Sequence, residues 1–152
     1  MTRQTKKRLG LLAAFTLILL LPVVGTWARL GREKCCAFDG EKILPIYRVR
    51  VVDEGGASHV FCGFTCAEKW ITAQGTEPTI IFVADEKSGR EIPAASAIYV
   101  HSEVITGHVS GNKIHTFENR RDAENHARSY HGIILNHWEQ AKRSNSWNGT
   151  EQ

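Results

Sequence analysis

The sequence predicts an α+β protein in which an N-terminal transmembrane helix precedes a small exported domain of two strand-strand-helix-strand repeats. Three observations carry this expectation. An uncharged run from Leu9 to Ala28 follows a basic N-terminus. Short strands with alternating or apolar patterns twice bracket a helical stretch. All four cysteines fall in two places, the pair Cys35-Cys36 and the motif Cys62-x3-Cys66.

Residues 1–8 form a basic segment carrying Arg3, Lys6, Lys7 and Arg8 without an acidic residue. Residues 9–28 carry no charge, and about twenty residues at a rise of about 1.5 Å match a hydrocarbon core of roughly 30 Å. A long signal peptide is the other reading, because Thr26-Trp27-Ala28 is a fair small-residue cleavage site. Basic residues before the span outnumber those just after it. The positive-inside rule then leaves the N-terminus in the cytoplasm and the domain outside it, held at the inner membrane by Leu9 to Ala28. With the four basic residues of the first segment set aside, 15 of the 19 Lys and Arg remain against 16 Asp and Glu. That balance offers no basic field for nucleic acid.

Residues 29–42 read as a linker holding Cys35 and Cys36. The first repeat spans 43–86: Ile46 to Val52 alternates, Asp53-Glu54-Gly55-Gly56 turns the chain, and His59 to Cys62 returns. A helix opens near Ala67 with Trp70 on its buried side, and Thr79 to Ala84 is an apolar strand. The second repeat spans 87–143, with strands at Ala97 to His101 and Ile114 to Phe117. Its helix is capped at Asn119 or Asp122 and ended by Gly132, ahead of the apolar run Ile133 to Trp138. Trp70, Phe82, Phe117 and Trp138 are expected in the core, and 144–152 is a polar, loose tail.

The chemistry lies in the thiols. Cys62 closes a strand and Cys66 lies in or just before a first helical turn, where unpaired N–H groups are expected to lower a thiol pKa. A bound metal, structural disulfides and thiol-disulfide exchange are all open to such a group. The spacing is not the C-x-x-C of redox enzymes, which counts against exchange. Neighbours in an extended segment point to opposite faces, so only one of Cys35 and Cys36 is expected beside Cys62 and Cys66. Three thiolates with an optional histidine suit either Cu(I) or zinc.

A cysteine pair followed at a distance by Cys62-x3-Cys66 and a helix resembles the metal-binding TRASH pattern. The downstream stretches Val83-Ala84-Asp85, Ile92 to Val100, and His115 to Ala123 with His131-Gly132 resemble the NosL family of membrane-attached accessory proteins of nitrous oxide reductase. The resemblance implies copper, as Cu(I), with zinc as the alternative, and a partner that is an exported metalloenzyme or its assembly machinery. It also implies a soft ligand from the second repeat, where the family has a methionine. Met1 is the one methionine of the chain, and His108, in Thr106-Gly107-His108-Val109-Ser110, stands in the corresponding place. The expected metal residues are therefore Cys35, Cys36, Cys62, Cys66 and His108, with His59 as runner-up. No paired carboxylates, nucleophile elbow or phosphate loop points to an enzyme. The two functional readings are a metal chaperone and a scaffold stabilised by zinc or disulfides.

Overall fold

The structure, a computed structural model, describes residues 35–75, 77–106 and 109–147, with side chains through 144. Its strands are β1 Val49–Val52, β2 Ser58–Phe61, β3 Ile80–Ala84, β4 Glu91–Pro93, β5 Ile98–His101, β6 Ile114–Phe117 and β7 Ile133–Leu135. The helices are α1 Phe64–Gln74, α2 Arg120–Ser129 and α3 Trp138–Trp147. One antiparallel sheet has the order β2-β1-β3-β4 and the other β6-β5-β7.

The fold class needs a correction. Among the described residues no helix is long and apolar enough to cross a membrane. The stretch Leu9 to Ala28, on which the transmembrane helix was expected, lies outside them. What the structure supports is an α+β domain of two small sheets and three helices.

Within that domain the chain order β-β-α-β occurs twice, with the first strand of each set at the centre of its sheet. Register underlines the correspondence: Val49 at the start of β1 pairs with Phe61 at the end of β2, and Ile98 at the start of β5 pairs with Phe117 at the end of β6. Elements outside this scheme follow from local chemistry and packing. Pro45 starts a 3-10 turn, Pro45–Tyr47, because its fixed φ and missing N–H suit a first helical position, so Ile46 does not join the strand. The apolar run Ile133 to Trp138 divides after Leu135. There α3 begins and carries through the expected tail to Trp147, because Trp138 packs on the core and Ala141 is fully buried.

Both sheets feed one core. Val49, Val51, Phe61 and Val83 from the first sheet, Phe64 and Ala67 from α1, and Tyr99, Ile114 and Ala141 from the second half form a single buried cluster. Phe64 is its joint: its ring lies 4.2 Å from that of Trp138 and 6.0 Å from that of Tyr99, centroid to centroid. The Tyr99 hydroxyl donates to the Ala94 carbonyl at 2.7 Å, so the buried phenol keeps a partner. A smaller cluster of Val100, Phe117 and Ala123 lies under α2. Phe82 departs from the expected core. Strand alternation turns Val83 inward, and Phe82 faces out beneath the Arg50 guanidinium, 4.2 Å from its ring centre.

Candidate metal centre

The β2–α1 junction places two thiols side by side. β2 ends at Phe61, Cys62 and Gly63 follow, and α1 begins at Phe64, so Cys66 sits in the first helical turn. Gly63 has no side chain with which to cap the helix, and the second repeat supplies the cap. Buried Asn112 accepts from the Thr65 N–H at 3.2 Å and the Thr65 hydroxyl at 3.1 Å. Its Nδ2 donates to the Thr106 hydroxyl at 2.6 Å and to the Ile114 carbonyl at 2.9 Å. All of its hydrogen-bonding capacity is thus spent on holding the helix start to the other half. A Cβ at position 63 would lie 3.2 Å from Asn112 Cγ, so glycine lets this side chain approach.

A tight loop brings the other two donors. The Cys36 N–H donates to the Glu41 carbonyl at 2.8 Å, the Gly40 N–H to the Cys36 carbonyl at 2.9 Å, and the Ala37 N–H to the Val60 carbonyl of β2 at 2.9 Å. Asp39 Oδ1 accepts from the Glu41 N–H at 2.9 Å, and Gly40 takes the left-handed φ of +76° that closes the turn. Cys36, Asp39, Cys62 and Cys66 thereby converge, with one ligand atom of each within 4.8 Å of the others. Cys62 Sγ lies 3.5 Å from Cys66 Sγ. Cys66 Sγ donates to Asp39 Oδ2 at 3.0 Å, and Cys62 Sγ lies 3.7 Å from the same oxygen.

The three thiols of the cluster are buried, with Cys36 4%, Cys62 6% and Cys66 0% exposed, while Asp39 is half-buried. Within it the charge settles on Cys36, whose thiol is held well below the ordinary range by hydrogen bonds from Cys62 and Cys66. Cys62 is pushed up to about 12, first by its hydrogen bond to Cys36, where that charge sits. Cys66 is also raised, by Cys36, by Cys62, by burial and by Asp39. The expected lowering of a thiol at the helix start therefore does not occur at Cys66. Burial and two neighbouring acceptors outweigh the helix N-terminus. A soft cation reverses that balance, because it takes the place of the protons the thiols share.

The donor set fits such an ion. Two sulfurs bound at about 2.3 Å in a tetrahedral site stand about 3.8 Å apart, and the Cys62–Cys66 separation of 3.5 Å is close to that. All four cysteines are free thiols, so no disulfide competes for the sulfurs.

Of the residues expected from sequence, the structure brings Cys36, Cys62 and Cys66 together. Cys35 remains outside the cluster, exposed, in a β-bridge with Lys42. His108 lies outside the described residues. His59 turns away to pair with Asp53 at 2.9 Å and stacks on Trp70. Asp39 is the donor that sequence reasoning missed. Its signal was the spacing Cys36-x2-Asp39 ahead of a glycine turn, which places two side chains at one site as C-x2-C does.

No protein-family model matches the chain, and no curated protein matches it. Among solved structures, the crystal structure of the copper chaperone NosL from Shewanella denitrificans is similar, with a TM-score of 0.59 and 17% identity over 68% of this chain and 87% of that one. The likeness is one of fold.

Proposed function

We propose that this chain is a chaperone-like metal-binding protein that holds one Cu(I) ion on Cys36, Cys62 and Cys66 and passes it to a partner by exchange of thiolates. The observation that carries the reading is the convergence of three buried thiols on one point. Soft sulfur donors select Cu(I), which accepts three-coordinate thiolate sites. The fold it shares with a copper chaperone supports the same reading. Cys35, exposed beside Cys36, is the thiol that an incoming ligand meets first, and the partner is an exported metalloenzyme or its assembly machinery.

A second reading rests on Asp39. With its oxygen 3.0 Å from Cys66 Sγ, three buried thiols and a half-buried carboxylate make a four-donor set of the kind that holds structural zinc. Titration of the reduced full chain with Cu(I) and Zn(II) against competing chelators decides between them. Copper chaperoning predicts one Cu(I) per chain that displaces Zn(II), lost in Cys62→Ser and in Cys66→Ser, and transfer to an acceptor slowed in Cys35→Ser at unchanged stoichiometry. Full Cu(I) affinity in both site variants overturns the site, and Zn(II) that stays on the thiols against Cu(I) overturns the copper reading.

A further inference from the structure

The second repeat carries its own group of donors. Glu86, His115 and His126 place one ligand atom each within 4.8 Å of one another, and three segments deliver them: the turn after β3, strand β6 and helix α2. The Glu86 N–H donates to the Thr116 carbonyl at 2.9 Å, which fixes that turn against β6. His115 is fully buried and Glu86 is 14% exposed. His115 Nδ1 lies 2.8 Å from Glu86 Oε2, and its Nε2 lies 3.1 Å from the Val104 carbonyl oxygen. A carbonyl only accepts, so Nε2 carries a hydrogen, and Nδ1 is the atom turned towards the carboxylate. His126 is anchored in the same way, its Nε2 lying 3.3 Å from the Ser102 hydroxyl. An imidazole that binds a metal through one nitrogen characteristically has the other fixed by an oxygen partner.

The first repeat shows what packing alone requires here. There His59 stacks on Trp70 at 4.5 Å between ring centres, and at the matching position His115 stacks on His126 at 4.1 Å. An indole suffices for the stack. The imidazole adds a hydrogen bond to the buried Ser102 hydroxyl and a third donor.

We propose that Glu86, His115 and His126 form a second metal site, separate from the thiols, for a borderline divalent ion such as Zn(II). Two imidazoles and a carboxylate are a donor set that zinc accepts, with a fourth position left for water or another ligand. On binding, the ion takes the place of the direct contact between His115 Nδ1 and Glu86.

The test uses the full chain carrying Cys62→Ser and Cys66→Ser, titrated with Zn(II) and with Co(II) as a coloured probe. One equivalent is expected to bind, with Co(II) absorption that lacks sulfur-to-metal charge transfer. Adding His126→Phe keeps the ring stack and removes the donor. Melting temperature should hold while affinity falls by more than the ~100-fold that loss of an outer partner can cost. Should the double cysteine variant fail to fold, the comparison is made between the parent chain and His126→Phe, with Zn(II) stoichiometry expected to drop from two to one. A folded variant that binds no ion, or unchanged affinity in His126→Phe, overturns the second site.

Discussion

The two repeats use one scaffold and load it differently. Each has a strand ending in a buried phenylalanine, Phe61 or Phe117, followed by a helix whose ring, Trp70 or His126, packs back on it at 5.4 Å or 5.3 Å between centres. Each has a histidine two residues before that phenylalanine, paired with a carboxylate at 2.9 Å for His59 and 2.8 Å for His115. Between these shared points the chemistry diverges. The strand-to-helix junction carries Cys62 and Cys66 in the first repeat and Glu118 and Asp122 in the second, where Asn119 caps its own helix by accepting from the Arg121 N–H at 2.8 Å. A junction with its own cap stands alone. The first repeat gave that position to Gly63 and borrowed its cap, which leaves room for sulfur at the helix start.

The comparison can be broken most forcefully at the core. Phe64→Ala should cost about 3–5 kcal/mol, because it empties the joint between Tyr99 and Trp138. Chemical denaturation followed through tryptophan fluorescence measures it, and a loss confined to the first repeat would show that the halves are not joined as described. A smaller effect is expected at the borrowed cap. Asn112→Ala, a change in the second repeat, should cost about 1–3 kcal/mol and weaken metal binding in the first. Unchanged affinity in a destabilised variant would separate the cap from the thiols.

The smallest effect sharpens the electrostatics. Cys36 is lowered while Cys62 and Cys66 are raised, so the metal-free cluster at neutral pH carries one thiolate and two thiols. Metal binding should therefore release about two protons, and apparent affinity should rise with pH below the raised values. Titration in buffers of different ionisation enthalpy counts those protons. Release of none would mean that the sulfurs were already ionised.

Much of this was readable in the residues, and the parts that were not share a cause. Alternation and turn chemistry located Ile114–Phe117 and narrowed the cap to Asn119 or Asp122, of which the structure uses Asn119, because those signals are local. Reading Cys62 at a strand end and Cys66 at a helix start set the two thiols side by side. Helix α3 was not readable, because its run of Trp138, Ala141 and polar residues becomes helical by packing on a core built from both repeats. Which of Cys35 and Cys36 turns inward, and that Asp39 joins it, depends on how the loop from Cys36 to Glu41 is pinned to β2. The raised thiol at Cys66 was misread because the helix N-terminus is visible in sequence while neighbouring acceptors are not.

The placement of Phe64 has a consequence for the protein's divisibility. Its side chain belongs to the helix that carries Cys66, yet two of the aromatic surfaces that cover it come from beyond residue 93. A fragment ending after the first repeat, with the Cys36 loop included, would retain every proposed thiol ligand and still present an uncovered aromatic face beside them, where chains associate with one another. Although the thiols lie entirely in the first half, they are not a transplantable module: the second half covers the aromatic face of the helix that carries Cys66 and caps its start, and the two must be made as one polypeptide.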